Sequence, residues 1–303
     1  MSEVWLDTAR DLLAKSSSFP PGPFQGQVAS FIASCLENVH PDRELFTGLT
    51  ARAMTRGGFD EARAAALAGD VFRSYLRTQY VDKLLVSTRT RDALSLVQAS
   101  FDASALAGKV SEQGGAILCS FHFRGYPLLP LAFLLRSLPV VFLRARPDVM
   151  EANRKIDDFV IYGTDRTAPV RMVRALRSGK HVFVMADQVD AKAETAEVRL
   201  FGRHVKANVG LAWLAEKANA PIVPVVLGER GGQFSLEALD PIIRRGSRAD
   251  TMQDVFAALE AAVLRDPSSW LTWYGSLDDA DARALRERLK TSNDALWTRM
   301  VKS

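Results

Sequence analysis

Apolar positions recur at helical spacing through the first third of the chain, then give way to short apolar runs separated by helical segments. Val4, Trp5, Leu12 and Leu13 mark one side of an amphipathic helix over residues 4–15. The breaker-rich loop "SSSFPPGPFQG" follows, and helical patterns resume at residues 27–39, 41–56 and, rich in alanine, 61–80. These segments predict packed helices that cover one side of a core or form one wall of a cleft.

Beyond residue 110 the period changes. "GGAILCSF" (114–121), "PVVFLRA" (139–145), "KHVFVMA" (180–186) and "APIVPVVL" (220–227) read as buried strands, with helices between them at 128–137, 147–160, 168–178 and 210–218. This alternation predicts an α/β fold, a mostly parallel central sheet flanked by helices. The chain thus divides into an N-terminal helical portion, residues 1–110, and an α/β core, residues 111–303. Functional groups in such sheets gather at the carboxyl ends of strands. His122 and Asp187 each follow a predicted strand, so if those strands are parallel neighbours both side chains emerge at one edge.

Composition narrows the class without naming a partner. The chain has 303 residues, 48% of them hydrophobic, enough for one large domain or a domain with an attached helical portion. Its net charge of +4 favours anionic partners only weakly. Cys35 and Cys119 are far apart and form no metal-ligand spacing, which fits a reducing cytoplasm and no metal. The first residues carry Glu3, Asp7 and Asp11 and do not read as a signal peptide. Pro127, Pro130, Arg136 and Pro139 interrupt the most apolar stretch, 126–143, whereas a spanning helix needs roughly 20 mostly apolar residues. The expectation is a cytoplasmic protein whose membrane contact, if any, is peripheral at the inner membrane.

Among four histidines, His40 sits at a helix end, His181 begins a strand and His204 lies in a polar loop. His122 alone has the strand-end position of a catalytic base, an imidazole that titrates near neutrality. The structural alternative is a partly buried histidine with a backbone hydrogen bond. There is no phosphate-binding P-loop, no G-x-G-x-x-G after a strand and no G-x-S-x-G elbow. "MADQVDAK" places Asp187 and Gln188 after a strand, and arginines at 144, 146, 166, 171, 174 and 177 could line an anion site or simply coat a solvated helix.

The joint order of "AILCSFHFRGYPLL", "FLRARPDVMEANRKIDDF", "VRMVRALRSGKHVFVMADQ", "AEVRLFGRHVKANVGLAWLAEKANAPIVPVVL" and "DPSSWLTWY" resembles the lysophospholipid acyltransferase superfamily. Within it the chain is similar to the bacterial lipid A biosynthesis acyltransferases, the lauroyl and myristoyl transferases. The resemblance implies a glycerolipid acyltransferase-like fold and acyl transfer from a thioester on acyl carrier protein or coenzyme A to a hydroxyl or amine. It implies no tightly bound cofactor, the acyl donor being a co-substrate.

The family signature is a histidine separated by four residues from an aspartate or glutamate that orients it. His122 matches the histidine, but Pro127 stands where the carboxylate is expected, and a proline can neither accept an imidazole N–H nor stabilise an imidazolium. Three routes follow. A distant carboxylate such as Asp187 fills the gap; the acceptor is a small soluble amine or hydroxylamine of the kind used in secondary metabolism, which attacks without a strong base; or the protein is a non-catalytic relative that binds an acyl or lipid-like ligand. The basic pI of about 9.1 also admits an aminoacyl-tRNA donor. The expected site comprises His122 and Asp187 as catalytic groups. Arg124, Tyr126, Arg146, Arg171, Arg174, Arg177 and Gln188 are the expected substrate contacts.

Overall fold

The computed structural model describes residues 2–16, 23–87, 101–102, 114–135, 138–144, 160–162, 166–188, 193–230, 233–277 and 280–301. Four helices open the chain: α1 (Ser2–Ser16), α2 (Pro23–Glu37), α3 (Arg43–Arg56) and α4 (Glu61–Ser87). They pack through apolar faces that include Ile32, Phe46, Met54, Val71, Phe72 and Leu76, all essentially buried. Helix α4 runs past residue 80, where the periodic pattern predicts its end, and its second half reaches the sheet.

The sheet is built from β1 (Phe101–Asp102), β2 (Ile117–Ser120), β3 (Val140–Arg144), β4 (Val160–Tyr162), β5 (His181–Met185), β8 (Ile222–Arg230) and β9 (Gln233–Ala238). Its order is β1-β9-β8-β2-β5-β3-β4, and the pairs are parallel except β8 with β9. The mostly parallel α/β architecture expected from the alternation is therefore the one observed. Helices α5 (Leu129–Leu135), α6 (Ala168–Arg177), α7 (Gly210–Ala218) and α8 (Arg248–Arg265) connect or cover these strands, and α9 (Ala280–Val301) returns to pack on α1 and α3. Strand β2, at the centre, is buried on both faces. Gly115, just before it, permits the end of α6 to approach, since a Cβ there would lie 2.0 Å from the Leu176 carbonyl oxygen.

Some elements differ from the expectation. The predicted helix at 147–160 lies outside the described residues except for Val160, which opens β4, an edge strand too short to show a period. Residues read as a polar loop around His204 form a hairpin, β6 (Thr195–Leu200) and β7 (Arg203–Asn208). Its turn residues Phe201 and Gly202 both have positive φ, 50° and 71°, the backbone of a two-residue type I′ turn. Phe201 tolerates this because its ring stacks on Trp273 at 4.6 Å and its amide donates to Glu260 Oε2 at 2.7 Å. Strand β9 and helices α8 and α9 also stand outside the elements expected from the pattern. Among the described residues no helix is long and apolar enough to cross a membrane.

Candidate active site

β2 and β5 run side by side in parallel, with Cys119 opposite Val184 and Ser120 opposite Met185. Continuing this register by two residues sets His122 opposite Asp187, both beyond the carboxyl ends of their strands. The chain leaves the ladder there: Ala186 N still donates to Ser120 O at 2.8 Å, but the His122 amide donates to the Asp187 side chain, Oδ2, at 2.9 Å.

Asp187 is held from several sides. Its Oδ1 lies 2.6 Å from His122 Nδ1, while Oδ2 also accepts from Trp270 Nε1 at 2.8 Å and Thr272 Oγ1 at 2.7 Å. Burial works to raise its carboxyl, but the electrostatic interaction with His122 and hydrogen bonds from His122 and Trp270 outweigh this and hold it below the usual carboxylate range. An ionised carboxylate on Nδ1 fixes the proton there and leaves the Nε2 lone pair as the basic site. The Asp187 side chain is 2% exposed and that of His122 10%, so the carboxylate is sealed and the imidazole is reached from one side.

That side carries Gln188, whose Nε2 lies 3.1 Å from His122 Nε2, and Tyr126, whose ring meets the imidazole edge-on at 4.8 Å between centroids. Gln188 is itself anchored through its backbone carbonyl, which accepts from Asn208 Nδ2 at 2.9 Å.

The segment bearing His122 is clasped by residues 266–272, from which Trp270 and Thr272 come. Phe123 bridges Trp270 in antiparallel fashion, Arg124 N donates to Ser269 O at 2.7 Å, and Leu271 N donates to His122 O at 2.9 Å. Beneath the bridge, Phe121, Trp270 and Trp273 pack together, with Trp270 at 5.3 Å from Phe121 and 4.8 Å from Trp273. On the other flank the turn at Gly125 (φ 79°) lies against α4, its amide donating to Thr78 Oγ1 at 3.3 Å. Pro127 is buried in the 3-10 turn Tyr126–Leu128 that leads into α5, where its missing N–H leaves no hydrogen bond unmade.

The sequence-derived site residues thus fall into distinct places. His122, Asp187, Tyr126 and Gln188 come together. Arg124 is close in sequence but its guanidinium is already engaged: Nη1 donates to Glu229 Oε2 at 3.4 Å, and Nη2 to Asp266 Oδ2 at 3.0 Å and Ser268 Oγ at 3.3 Å. Glu229 also pairs with Arg77 of α4, so Arg124 acts as a brace between the loop, β8 and the 266–269 turn rather than as an open anion hook.

Arg171, Arg174 and Arg177 lie on the exposed side of α6, whose Ala168, Met172 and Leu176 face the core. Since α6 joins the carboxyl end of β4 to the amino end of β5, each successive arginine stands farther from the reaction edge, at about 1.5 Å per residue. Arg177 has reached the opposite edge, where Nη2 donates to the Lys217 carbonyl at 2.8 Å. It is removed from the reaction centre by that topology, which charge counting along the sequence does not reveal. Arg146 lies outside the described residues.

Trp270, Thr272 and Asn208 are the contributors the sequence reading missed. The first two belong to "DPSSWLTWY", which carries part of the family resemblance, but nothing in a tryptophan and a threonine near the end of the chain marks them as carboxylate donors. Among the described residues no three His, Cys, Asp or Glu side chains converge as a metal site.

Residues 165–274 match the family of bacterial lipid A biosynthesis acyltransferases. The matched segment contains Asp187, Gln188, Trp270 and Thr272 and stops short of His122. Among solved structures the chain is similar to PlsC, a 1-acyl-sn-glycerophosphate (LPA) acyltransferase from Thermotoga maritima, at 12% identity and a TM-score of 0.43, over 82% of this chain and 98% of that one. No curated protein matches the chain. The family match relates residues 165–274 to the acyltransferase superfamily.

Proposed function

We propose that this relative of the acyltransferases moves an acyl or aminoacyl group from an activated thioester or ester to an amine or hydroxyl of a small acceptor. His122 serves as base and Asp187 as the carboxylate that orients it. The observation that carries this reading is the contact between His122 Nδ1 and a buried Asp187 whose second oxygen accepts three hydrogen bonds. A carboxylate satisfied in this way stays ionised and does not rotate, so the imidazole keeps one tautomer and one orientation. The job left open by Pro127 is then done from the neighbouring strand.

In the reaction, the acceptor X–H gives its proton to His122 Nε2 as X attacks the carbonyl carbon. The carbonyl electrons move to oxygen. When they return, the bond to sulfur or oxygen of the carrier breaks, and the imidazolium returns its proton to the leaving group. Asp187 stabilises the imidazolium between these steps. An amine acceptor suits a site in which a single buried histidine supplies the base, because a neutral amine attacks before it loses a proton. The donor is acyl carrier protein or coenzyme A linked, with aminoacyl-tRNA as the third class to be tested.

The test is incubation of the purified protein with each of these donors and a panel of amines and alcohols, with mass spectrometry reading the acylated product. His122→Ala should abolish product while leaving donor binding intact. Turnover unchanged by that substitution would remove His122 from the mechanism, and donor binding without product in the wild type would favour a non-catalytic role.

A further inference from the structure

Around the His122–Asp187 pair the His122 amide, Trp270, Thr272 and the two terminal nitrogens of Arg124 are committed to acceptors inside the protein, and Arg124 Nε, which has no partner among the described residues, is buried. The His122 amide, Trp270 Nε1 and Thr272 Oγ1 all donate to Asp187 Oδ2. The Arg124 Nη1 and Nη2 groups donate to Glu229, Asp266 and Ser268. None of these can turn toward a substrate without undoing the support of the site. Gln188 differs, because its side-chain amide donates to His122 Nε2, the lone pair that must take the acceptor's proton.

Resting on the acyl-transfer reading, we infer that Gln188 supplies the hydrogen bond that stabilises the tetrahedral oxyanion, and that its contact with His122 is the resting position of that donor. The incoming X–H must displace the Gln188 amide from Nε2. The carbonyl carbon is one bond from X in the adduct, so its oxygen comes within about 2.5 Å of X, close to where the displaced amide moves. A short swing of an exposed side chain therefore carries the donor from base to oxyanion. The backbone need not move: Asn208 Nδ2 holds the Gln188 carbonyl at 2.9 Å, just past β5. The proton goes from X to Nε2, the electron pair from C=O to oxygen, and Gln188 N–H donates to that oxygen until the leaving group departs with the His122 proton.

Thiol release from octanoyl-coenzyme A, with hydroxylamine as surrogate acceptor, tests this in the full chain, with thermal midpoints as a folding control. Gln188→Ala is expected to lower kcat by roughly 10²- to 10³-fold, the usual loss for one oxyanion donor, with KM for the thioester within about threefold of wild type. Gln188→Glu, equal in size but without the donor, should fall as far. An octanoyl trifluoromethyl ketone, which forms a tetrahedral adduct, should lose affinity in proportion to kcat. Gln188→Ala at or above the wild-type rate would overturn the inference, making the glutamine only a plug on the base. Equal losses in kcat and ketone affinity that are matched by substrate affinity would overturn it as well. If the wild type releases no more thiol than His122→Ala, the acyl-transfer reading falls and this inference with it. If only the glutamine variants behave like wild type, the inference alone falls.

Discussion

His122 and Asp187 face each other across adjacent parallel strands, in the register set by Ser120 opposite Met185, with Nδ1 and Oδ1 2.6 Å apart. A carboxylate five positions along the same chain segment and a carboxylate on the next strand can fill the same role, because the imidazole senses only the position of the oxygen. That equivalence explains how Pro127 can occupy a buried turn without leaving His122 unsupported.

Asp187→Asn should therefore be the most damaging conservative substitution at the site. To satisfy the donors on Oδ2, the amide oxygen must face them, which turns the amide NH₂ toward His122 Nδ1 and drives the imidazole into the wrong tautomer. By analogy with the corresponding change in a serine protease triad, kcat should fall by about 10⁴-fold with little change in KM. Rate measurements showing less than a tenfold loss would detach Asp187 from the mechanism.

Pro127→Glu should bring no gain in rate. The Nδ1 position is already taken by Asp187, and a carboxylate placed at the buried Pro127 has to be desolvated. The expected result is wild-type or lower turnover with a lower thermal midpoint. A rate increase would mean that the imidazole is under-supported in the native protein.

How far the sequence alone reaches is seen by comparing His122 with Trp270. His122 could be singled out because it alone of the four histidines follows a strand-like run, and Asp187 because it follows another such run, 180–186. Their pairing depended on which strands are neighbours, a long-range fact that local pattern does not encode. Trp270 and Thr272 were illegible as site residues, since their role comes from an antiparallel bridge to Phe123, far away in sequence. Arg124 misled in the opposite direction: a cation beside the histidine suggests an anion site, yet its partners Glu229 and Asp266 are more than a hundred residues away. The hairpin at 195–208 did have a signal, in the alternation of Glu197, Val198, Arg199 and Leu200.

Thr272→Val tests the support of Asp187 through pH. The wild-type carboxyl is held below the usual carboxylate range, so the ionised form persists above that depressed value and is lost only as pH falls through it. Removing one donor to Oδ2 weakens the ionised form and moves the carboxyl upward. The Asp187 carboxyl, followed by carbon-13 NMR through an acid titration, should titrate at higher pH than in the wild type, and stability at pH 7 should drop by about 1–3 kcal/mol. An unmoved carboxyl titration would show that Thr272 contributes packing alone.

Gly125→Ala probes the turn that delivers His122. The residue has φ 79°, and a Cβ there would lie 2.4 Å from Phe234 Cε1, so the substitution combines left-handed backbone strain of about 1–2 kcal/mol with a steric clash. Chemical denaturation should show a loss of at least about 2 kcal/mol. Activity at low temperature should fall as well, because a shift of the Phe234 ring disturbs the Arg77 guanidinium that lies 5.5 Å above it. Wild-type stability in this variant would mean that the turn is looser than its geometry indicates.

Away from the reaction centre, His181 and His40 are expected to make the stability of the fold depend on pH in mild acid. Burial pushes both below the ordinary histidine value of about 6.5, and each uses Nδ1 as an acceptor, from Ala116 N and Asp42 N respectively, both at 3.1 Å. A proton on Nδ1 would turn an acceptor toward a donor. The folded state therefore binds fewer protons than the unfolded chain once pH falls below about 6.5, so stability is retained above that pH and declines as pH drops through it toward the depressed folded value. The slope has a ceiling of about 1.4 kcal/mol per pH unit for each group. His181→Asn keeps an acceptor near the Ala116 amide but cannot titrate, so urea unfolding from pH 7.5 to 5 should show a shallower loss in the variant than in the wild type. Parallel pH dependences in the two proteins would show that His181 binds its proton without disturbing the fold.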